Sequence, residues 1–181
     1  PANLRQSGPT VMFGTPRVFE KFYARISTGV KDATWIQKTI YKWAINVGRN
    51  YVEKKDKGQS IPLLLKIKHS LAHFLIFQKI HDIFGGNIRF MISGAAPISP
   101  NIIHFFHWIG LVIYEGDGMT ETTGIISSNT KGNVKIGSVG QIYPDTEVRI
   151  SEDGEICCRG PQNIAGYYHN KEATAELLVK D

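Results

Sequence analysis

Thr120 and Glu121 sit just past a short apolar run, Leu111-Val112-Ile113-Tyr114, and a Gly-x-Gly turn, Glu115-Gly116-Asp117-Gly118-Met119. The run reads as a buried strand, stopped by the glycines. A strand that ends this way presents main-chain amides, a hydroxyl and a carboxylate at its C-terminal end, the edge where open α/β sheets bind ligands. A threonine hydroxyl donates to a phosphate oxygen. A glutamate is a hard oxygen ligand of the kind that holds Mg²⁺ together with substrate phosphates. The candidate chemistry is therefore a nucleotide-phosphate site, with Glu115, Gly116, Asp117, Gly118, Met119 and Thr120 along the nucleotide and Glu121 on the metal.

A second segment points the same way. Ile88-Arg89-Phe90-Met91-Ile92 reads as another strand, followed by Ser93, Gly94, Ala95, Ala96 and Pro97. Small residues here let a flat ring approach the backbone. Between the two strands, Ser99 is a candidate N-cap, Pro100 a candidate first helical residue, and Gly110 a stop. Strand, helix, strand is the pattern of a right-handed crossover between parallel strands. If the two strands are neighbours, Ser93–Ala96 and Glu115–Glu121 line one crevice. The competing reading is that both glycine clusters are ordinary tight turns, since short glycine motifs match by chance.

The elements around these segments are helices before and short strands after. Thr10–Phe13 reads as a strand. Pro16 opens a helix to about Ile26, which Gly29 breaks. A longer helix, about Ala33 to Lys55, carries Ile36, Ile40, Trp43, Val47 and Tyr51 on one face, and a third, from Pro62 to Phe84, carries Leu64, Ile67, Leu71, Phe74 and Gln78. Gly124–Lys135 reads as a polar loop. Gly137–Ile142, Glu147–Ile150 and Glu155–Cys158 read as strands, Glu152-Asp153-Gly154 as a hairpin turn and Asn170–Val179 as a closing helix.

Composition bounds the possibilities. In 181 residues, 42% hydrophobic and 20% charged side chains are ordinary globular values. No apolar run is long enough to span a membrane, and the N-terminus lacks a signal-peptide pattern. The two cysteines, Cys157 and Cys158, are adjacent and on a strand point to opposite faces, so a reducing, cytoplasmic setting is the simpler inference. The charge of +5 is uneven: residues 17–89 hold 14 Lys and Arg against 5 Asp and Glu, and the rest 7 against 11. Such a basic helical stretch suits plain solvation, or contact with a polyanion or with an anionic membrane at the inner face of a bilayer.

Several chemistries are excluded. His69 and His73 stand four apart on a helix but lack a third ligand. His104 and His107 read as helix surface. The chain has no Gly-x-x-x-x-Gly-Lys-Ser/Thr loop, no complete Gly-x-Gly-x-x-Gly and no Gly-x-Ser-x-Gly, and no nucleic-acid-binding module.

Four motifs, in order, resemble the adenylate-forming superfamily: Thr15-Pro16-Arg17-Val18-Phe19-Glu20-Lys21, Ser93-Gly94-Ala95-Ala96-Pro97, Gly118-Met119-Thr120-Glu121, and Gly154-Glu155-Ile156 through Arg159-Gly160 to Gly166-Tyr167-Tyr168. The long basic stretch after Lys21 resembles that of long-chain fatty acid–CoA ligases. The resemblance implies part of an adenylate-forming N-terminal domain of α/β class. Residues 1–126 would be its α/β portion, with a βαβ parallel-sheet unit and a helical insert at 22–87. Residues 127–181 would be a small, antiparallel, barrel-like β subdomain.

The implied activity joins a fatty acid to ATP as acyl-adenylate and passes the acyl group to coenzyme A, in fatty acid metabolism. By resemblance, Gly94–Ala96 flank the adenine, Thr120 bonds the α-phosphate and Glu121 holds Mg²⁺. Asp117 stands where the family usually has an aromatic residue that stacks on adenine. The family's phosphate loop would precede Pro1. Its ribose-binding Asp, hinge and mobile domain with the catalytic Lys would follow Asp181, so the implied piece does not catalyse alone. The alternatives are an adenylate-forming ligase for another carboxylic acid, and a membrane- or partner-binding helical module without catalysis.

Overall fold

The computed structural model describes residues 2–179. The chain divides into two compact units between Tyr114 and Glu115.

The first unit is built on parallel strands covered by helices. Helix α1 (Ala2–Ser7) leads into β1 (Val11–Gly14), which pairs in parallel with β2 (Phe90–Ser93), Gly14 opposite Ser93. Their C-terminal ends therefore lie on one edge. Beyond β2, α6 (Pro100–Trp108) returns the chain to residues 112–114, where the Met91 N–H donates to the Val112 carbonyl at 2.8 Å. The expected strand–helix–strand unit is present. Ser99 stands in extended conformation before α6, but its hydroxyl makes no capping bond, and Pro100 alone pre-sets the first turn.

Between β1 and β2 run the helices α2 (Pro16–Lys31), α3 (Trp35–Asp56), α4 (Leu63–Ala72) and α5 (Gln78–His81). Gly29 does not break α2, which continues to Lys31. A helical glycine costs about 1 kcal/mol relative to alanine, too little to end a helix by itself. Helix α3 begins at a full capping box: the Thr34 hydroxyl accepts from the Gln37 N–H, and the Gln37 side chain accepts from the Thr34 N–H. The third expected helix is interrupted by a π-helical turn, His73–Phe77, and ends in a 3₁₀ turn, Asp82–Phe84, with Gly85 left-handed at φ +91°.

That interruption goes with a correction to the expected faces. The stripe Leu64, Ile67, Leu71 and Phe74 lies exposed, and the buried residues are Ala72, Phe77, Ile80 and Phe84. The segment is apolar on more than one side, so periodicity alone does not select the inner face. On α3 the buried residues are Ala44, Val47 and Gly48, while Ile36 is exposed.

The core is aromatic. Phe19, Phe77, Phe84 and Phe106 are fully buried, and Phe106 meets Phe19 and Phe84 edge-on, at 6.4 and 6.0 Å between centroids. His69 stacks on Tyr51 at 3.9 Å. Among the described residues no cluster of His, Cys, Asp and Glu could hold a metal ion, and no helix is long and apolar enough to cross a membrane.

Strand β3 (Ile113–Asp117) carries the chain into the second unit. Gly116 does not stop it: Gly116 and Asp117 pair antiparallel with Ser128 and Ser127 of β4 (Ser127–Ser128). Strand β4 falls inside the expected polar loop and pairs in turn with β5 (Gln141–Ile142), which is shorter than the expected strand from Gly137. Strands β6 (Glu147–Ile150) and β7 (Ile156–Arg159) form the expected hairpin, with Gly154 left-handed in its turn at φ +90°. Helix α7 (Lys171–Leu177) is capped by the Asn170 side chain, which accepts from the Ala173 N–H. This unit buries mostly small polar residues, Thr122, Ser127, Ser128 and Asn129, beside Ile126. Asn129 satisfies its amide internally, donating to the Ser138 carbonyl at 2.6 Å and accepting from the Lys135 N–H at 2.8 Å. Both cysteines are free and half-buried.

Candidate functional site

In the first unit, the candidate residues lie where β2 ends. Ser93 is its last residue, buried, and its hydroxyl has no hydrogen-bond partner among the described residues. The Gly94 N–H leans on the Gly14 carbonyl at 3.4 Å, so the ends of β1 and β2 are tied together. The chain then turns outward. Ala95, Ala96 and Pro97 are exposed, and Ala95 holds a left-handed conformation at φ +67°. A non-glycine residue there costs roughly 1–2 kcal/mol. Such strain concentrates at ligand sites, because the chain is shaped for something other than its own relaxation.

In the second unit, the strand end and the turn after it are tightly built. Gly118 is required by packing rather than by φ: a Cβ there would overlap the Gly124 carbonyl. The Asp117 carbonyl accepts from the Ile126 N–H at 2.8 Å. Met119 anchors the turn from both groups of its backbone: its carbonyl accepts from the N–H groups of Thr122 and Gly124, each at 3.2 Å, and its N–H donates to the Thr122 hydroxyl at 3.2 Å. Thr120–Thr122 is a single 3₁₀ turn, with Thr122 buried and Thr120 exposed. Thr123 then takes φ +46° and donates its hydroxyl to the Gln162 carbonyl at 2.6 Å.

The two acidic candidates differ. The Glu115 carboxylate accepts from the Gly137 N–H at 2.9 Å, so it holds the loop beside it. Burial raises the Glu115 pKa, and the Gly137 and Ser138 amides oppose that rise. Glu121 accepts the Tyr167 hydroxyl at 2.5 Å, and this bond holds its carboxyl below the usual range, ionised at neutral pH. The same bond raises the Tyr167 phenol.

Among the described residues no cage of further ligands joins this carboxylate, and a lone ionised carboxylate does not suit Ca²⁺ or Zn²⁺. It does suit Mg²⁺, which completes its shell with water and phosphate oxygens. The donor set thus fits a metal that arrives with a nucleotide.

Sequence reading left Tyr167 without a role. The Gly-Tyr-Tyr motif marks the residue as notable, but a contact across 46 positions has no local signature. The pairing of Gly118 with Gly124 is equally silent, because the reason for the glycine is a neighbouring carbonyl and not a turn type.

Known proteins place this arrangement in context. Over 171 residues the chain is 37% identical to the long-chain-fatty-acid–CoA ligase FadD15 of Mycobacterium bovis, covering 94% of this chain and 28% of that protein. It is 34% identical to the peroxisomal long chain acyl-CoA synthetase 7 of Arabidopsis thaliana, covering 96% of this chain and 25% of that one. The chain thus spans about a quarter of the length of these relatives. In fold it is similar to a benzoate CoA ligase from Burkholderia xenovorans, with a TM-score of 0.54 and 19% identity over 96% of this chain and 27% of that one. Residues 1–168 match the family described as AMP-binding enzyme, and the chain belongs to that family.

Proposed function

We propose that the protein carrying this chain is an AMP-forming long-chain fatty acid–CoA ligase. A fatty acid carboxylate attacks the α-phosphorus of ATP and pyrophosphate leaves; the thiolate of coenzyme A then attacks the acyl carbonyl and AMP leaves. In this reading Gly94–Ala96 flank the adenine, Ser93 belongs to the same nucleotide-binding segment, and the backbone of Glu115–Met119 follows the nucleotide. Thr120 donates to an α-phosphate oxygen, and Glu121 is the protein ligand of Mg²⁺. The ion, when bound, neutralises phosphate charge. The residues themselves bind and orient, and the rigid turn spares the cost of ordering them at each turnover. Residues 1–126 serve as the α/β part, with 22–87 as its helical insert, and 127–181 as the β-rich subdomain of the same domain.

The observation that carries the reading is the Thr120–Glu121 turn, fixed in place, with Thr120 exposed and Glu121 half-buried and ionised. Long-chain acids are favoured over other carboxylic acids by the two relatives named above. The test is ATP–pyrophosphate exchange in the protein that carries this chain. Glu121→Ala lowers it at least tenfold, a loss of about 1.4 kcal/mol or more of transition-state stabilisation. Unchanged exchange removes the metal role. A panel of long-chain, medium-chain and aromatic acids tests the substrate, and preference for an aromatic acid overturns the long-chain assignment.

A second, compatible reading is favoured by the exposed apolar face of α4 and the π-helical turn that follows it. Leu63, Leu64, Ile67, Leu71 and Phe74 are all about half or more exposed, from 48% to 73%. Lys66 and Lys68 flank Ile67, and no acidic residue occurs between Leu63 and His81. An apolar stripe edged by lysines suits the interface of an anionic bilayer. Working there, at the inner face of a membrane bordering the cytoplasm, the enzyme would meet fatty acids where they partition.

A further inference from the structure

The loop before α7 grips the Thr120–Thr122 turn and the Thr123 that follows it at three points. The Ile164 N–H donates to the Glu121 carbonyl at 2.8 Å. The Thr123 hydroxyl donates to the Gln162 carbonyl at 2.6 Å. The Tyr167 hydroxyl reaches the Glu121 carboxylate itself at 2.5 Å. The first bond joins backbone to backbone and the second joins the Thr123 side chain to backbone; of the three, the third holds the side-chain group that would meet a cation.

Tyr167 is in turn well anchored. Its N–H donates to the Thr174 hydroxyl at 2.9 Å, and its carbonyl accepts from the Asn170 N–H at 3.3 Å. Gly166 makes the anchor feasible, because a Cβ there would run into the Thr174 side chain. The phenol thus extends from a fixed base at the start of α7. Its neighbour Tyr168 points away, 91% exposed. Two adjacent tyrosines of one motif have different work.

We propose that Tyr167 is a positioning residue for Glu121: it holds one carboxylate oxygen and so restricts the side chain to a single orientation toward the metal–nucleotide complex. The inference rests on the metal role proposed for Glu121. A freely rotating exposed glutamate loses rotamer entropy each time it binds a cation. A fixed hydrogen-bond partner removes that cost beforehand, which is how partners behind metal ligands act and why their loss typically lowers metal affinity about 10–100-fold.

The experiment compares Tyr167→Phe, Tyr168→Phe and Glu121→Ala in the protein that carries this chain. Three quantities are read: Mn²⁺ binding in the presence of ATP by electron paramagnetic resonance, the Mg²⁺ concentration for half-maximal pyrophosphate exchange, and amide hydrogen exchange over residues 119–124. Phenylalanine keeps the ring and removes only the hydroxyl. The expected result is that Tyr167→Phe weakens Mn²⁺ and raises the half-saturating Mg²⁺ about tenfold. Amide protection stays at the wild-type level, because the Ile164–Glu121 backbone bond and the Thr123 hydroxyl bond to Gln162 both survive, and Tyr168→Phe behaves as wild type. If Glu121→Ala weakens Mn²⁺ and Tyr167→Phe does not, positioning by Tyr167 is overturned while the metal role stands. If Glu121→Ala leaves Mn²⁺ binding unchanged, the metal role falls, and the inference with it. If Tyr167→Phe loosens the amides of 119–124 and lowers exchange at all Mg²⁺ concentrations alike, the phenol is a structural tie, and positioning is likewise overturned.

Discussion

Two glycines in neighbouring helices give opposite answers to one substitution. Gly29 in α2 and Gly48 in α3 both lie within helices and neither has a positive φ. Helix propensity alone therefore predicts that alanine stabilises both, by up to about 1 kcal/mol. At Gly29 nothing lies within 4 Å of an added Cβ. The propensity gain survives there, reduced to roughly 0.5 kcal/mol because the site is in the last turn of the helix. At Gly48 the added Cβ would overlap the Trp108 carbonyl of α6 and stand 3.0 Å from the Phe77 ring. The first obstacle is backbone and cannot rotate away, and the second is a fully buried ring. Overpacking costs about 1–3 kcal/mol, and relief here needs α6 to move as a body, so the upper end applies. Setting the propensity gain of about 1 kcal/mol against it leaves a net loss of about 2 kcal/mol.

The assay is urea unfolding followed by tryptophan fluorescence. Trp35, Trp43 and Trp108 are the three tryptophans of the chain, and all lie in the first compact unit with both glycines. With a slope of about 2 kcal/mol/M, Gly48→Ala lowers the midpoint by about 1 M and Gly29→Ala raises it by about 0.25 M. A Gly48→Ala midpoint at or above wild type, with unchanged slope, would refute the packing of α3 against α6 at this point.

Two further outcomes follow from the same unit. If the α4 face meets a bilayer, co-sedimentation with vesicles containing phosphatidylserine occurs at low salt, weakens at high salt, and is lost in Leu64→Ser/Phe74→Ser; pelleting that ignores both salt and substitution removes the membrane reading. Burial lowers the pKa of His69, His81 and His107, and the His81 Nε2 lies 2.7 Å from the Ile109 carbonyl. These rings stay neutral in the fold at pH values where the unfolded chain binds protons, so stability is full above about pH 7 and declines as pH falls through the ordinary histidine value of about 6.5. The urea midpoint is therefore lower at pH 5.5 than at pH 7.5, and His81→Gln narrows the difference; a flat profile contradicts the burial.

What could be read from the sequence was what local chemistry decides. The strand–helix–strand unit, the hairpin at Gly154 and the Asn170 cap each announce themselves through turn residues and apolar runs within a few positions. The errors came where a distant partner decides. Gly29 signals a break but stays helical, because one glycine's penalty is smaller than the surrounding helix's gain. Ser127-Ser128 signals a loop but forms β4, because the paired backbones of β3 and β5 set its conformation. On α4 and the π-helical turn after it the visible stripe is exposed, since Leu63-Leu64-Leu65 and Phe74 to Phe77 supply apolar residues to both sides, and the inner one is the side on which Ala72, Phe77, Ile80 and Phe84 are buried, Phe77 beside Gly48. The candidate site follows the same rule. Thr120 and Glu121 were legible as a hydroxyl and a hard oxygen donor beyond a strand. The features that fix them, Gly118 under the Gly124 carbonyl and the phenol of Tyr167 on Glu121, are contacts between side chains and backbone far apart in the chain. A short motif can therefore name the groups that meet a ligand, while the groups that make those groups rigid are recognisable only once the chain is folded.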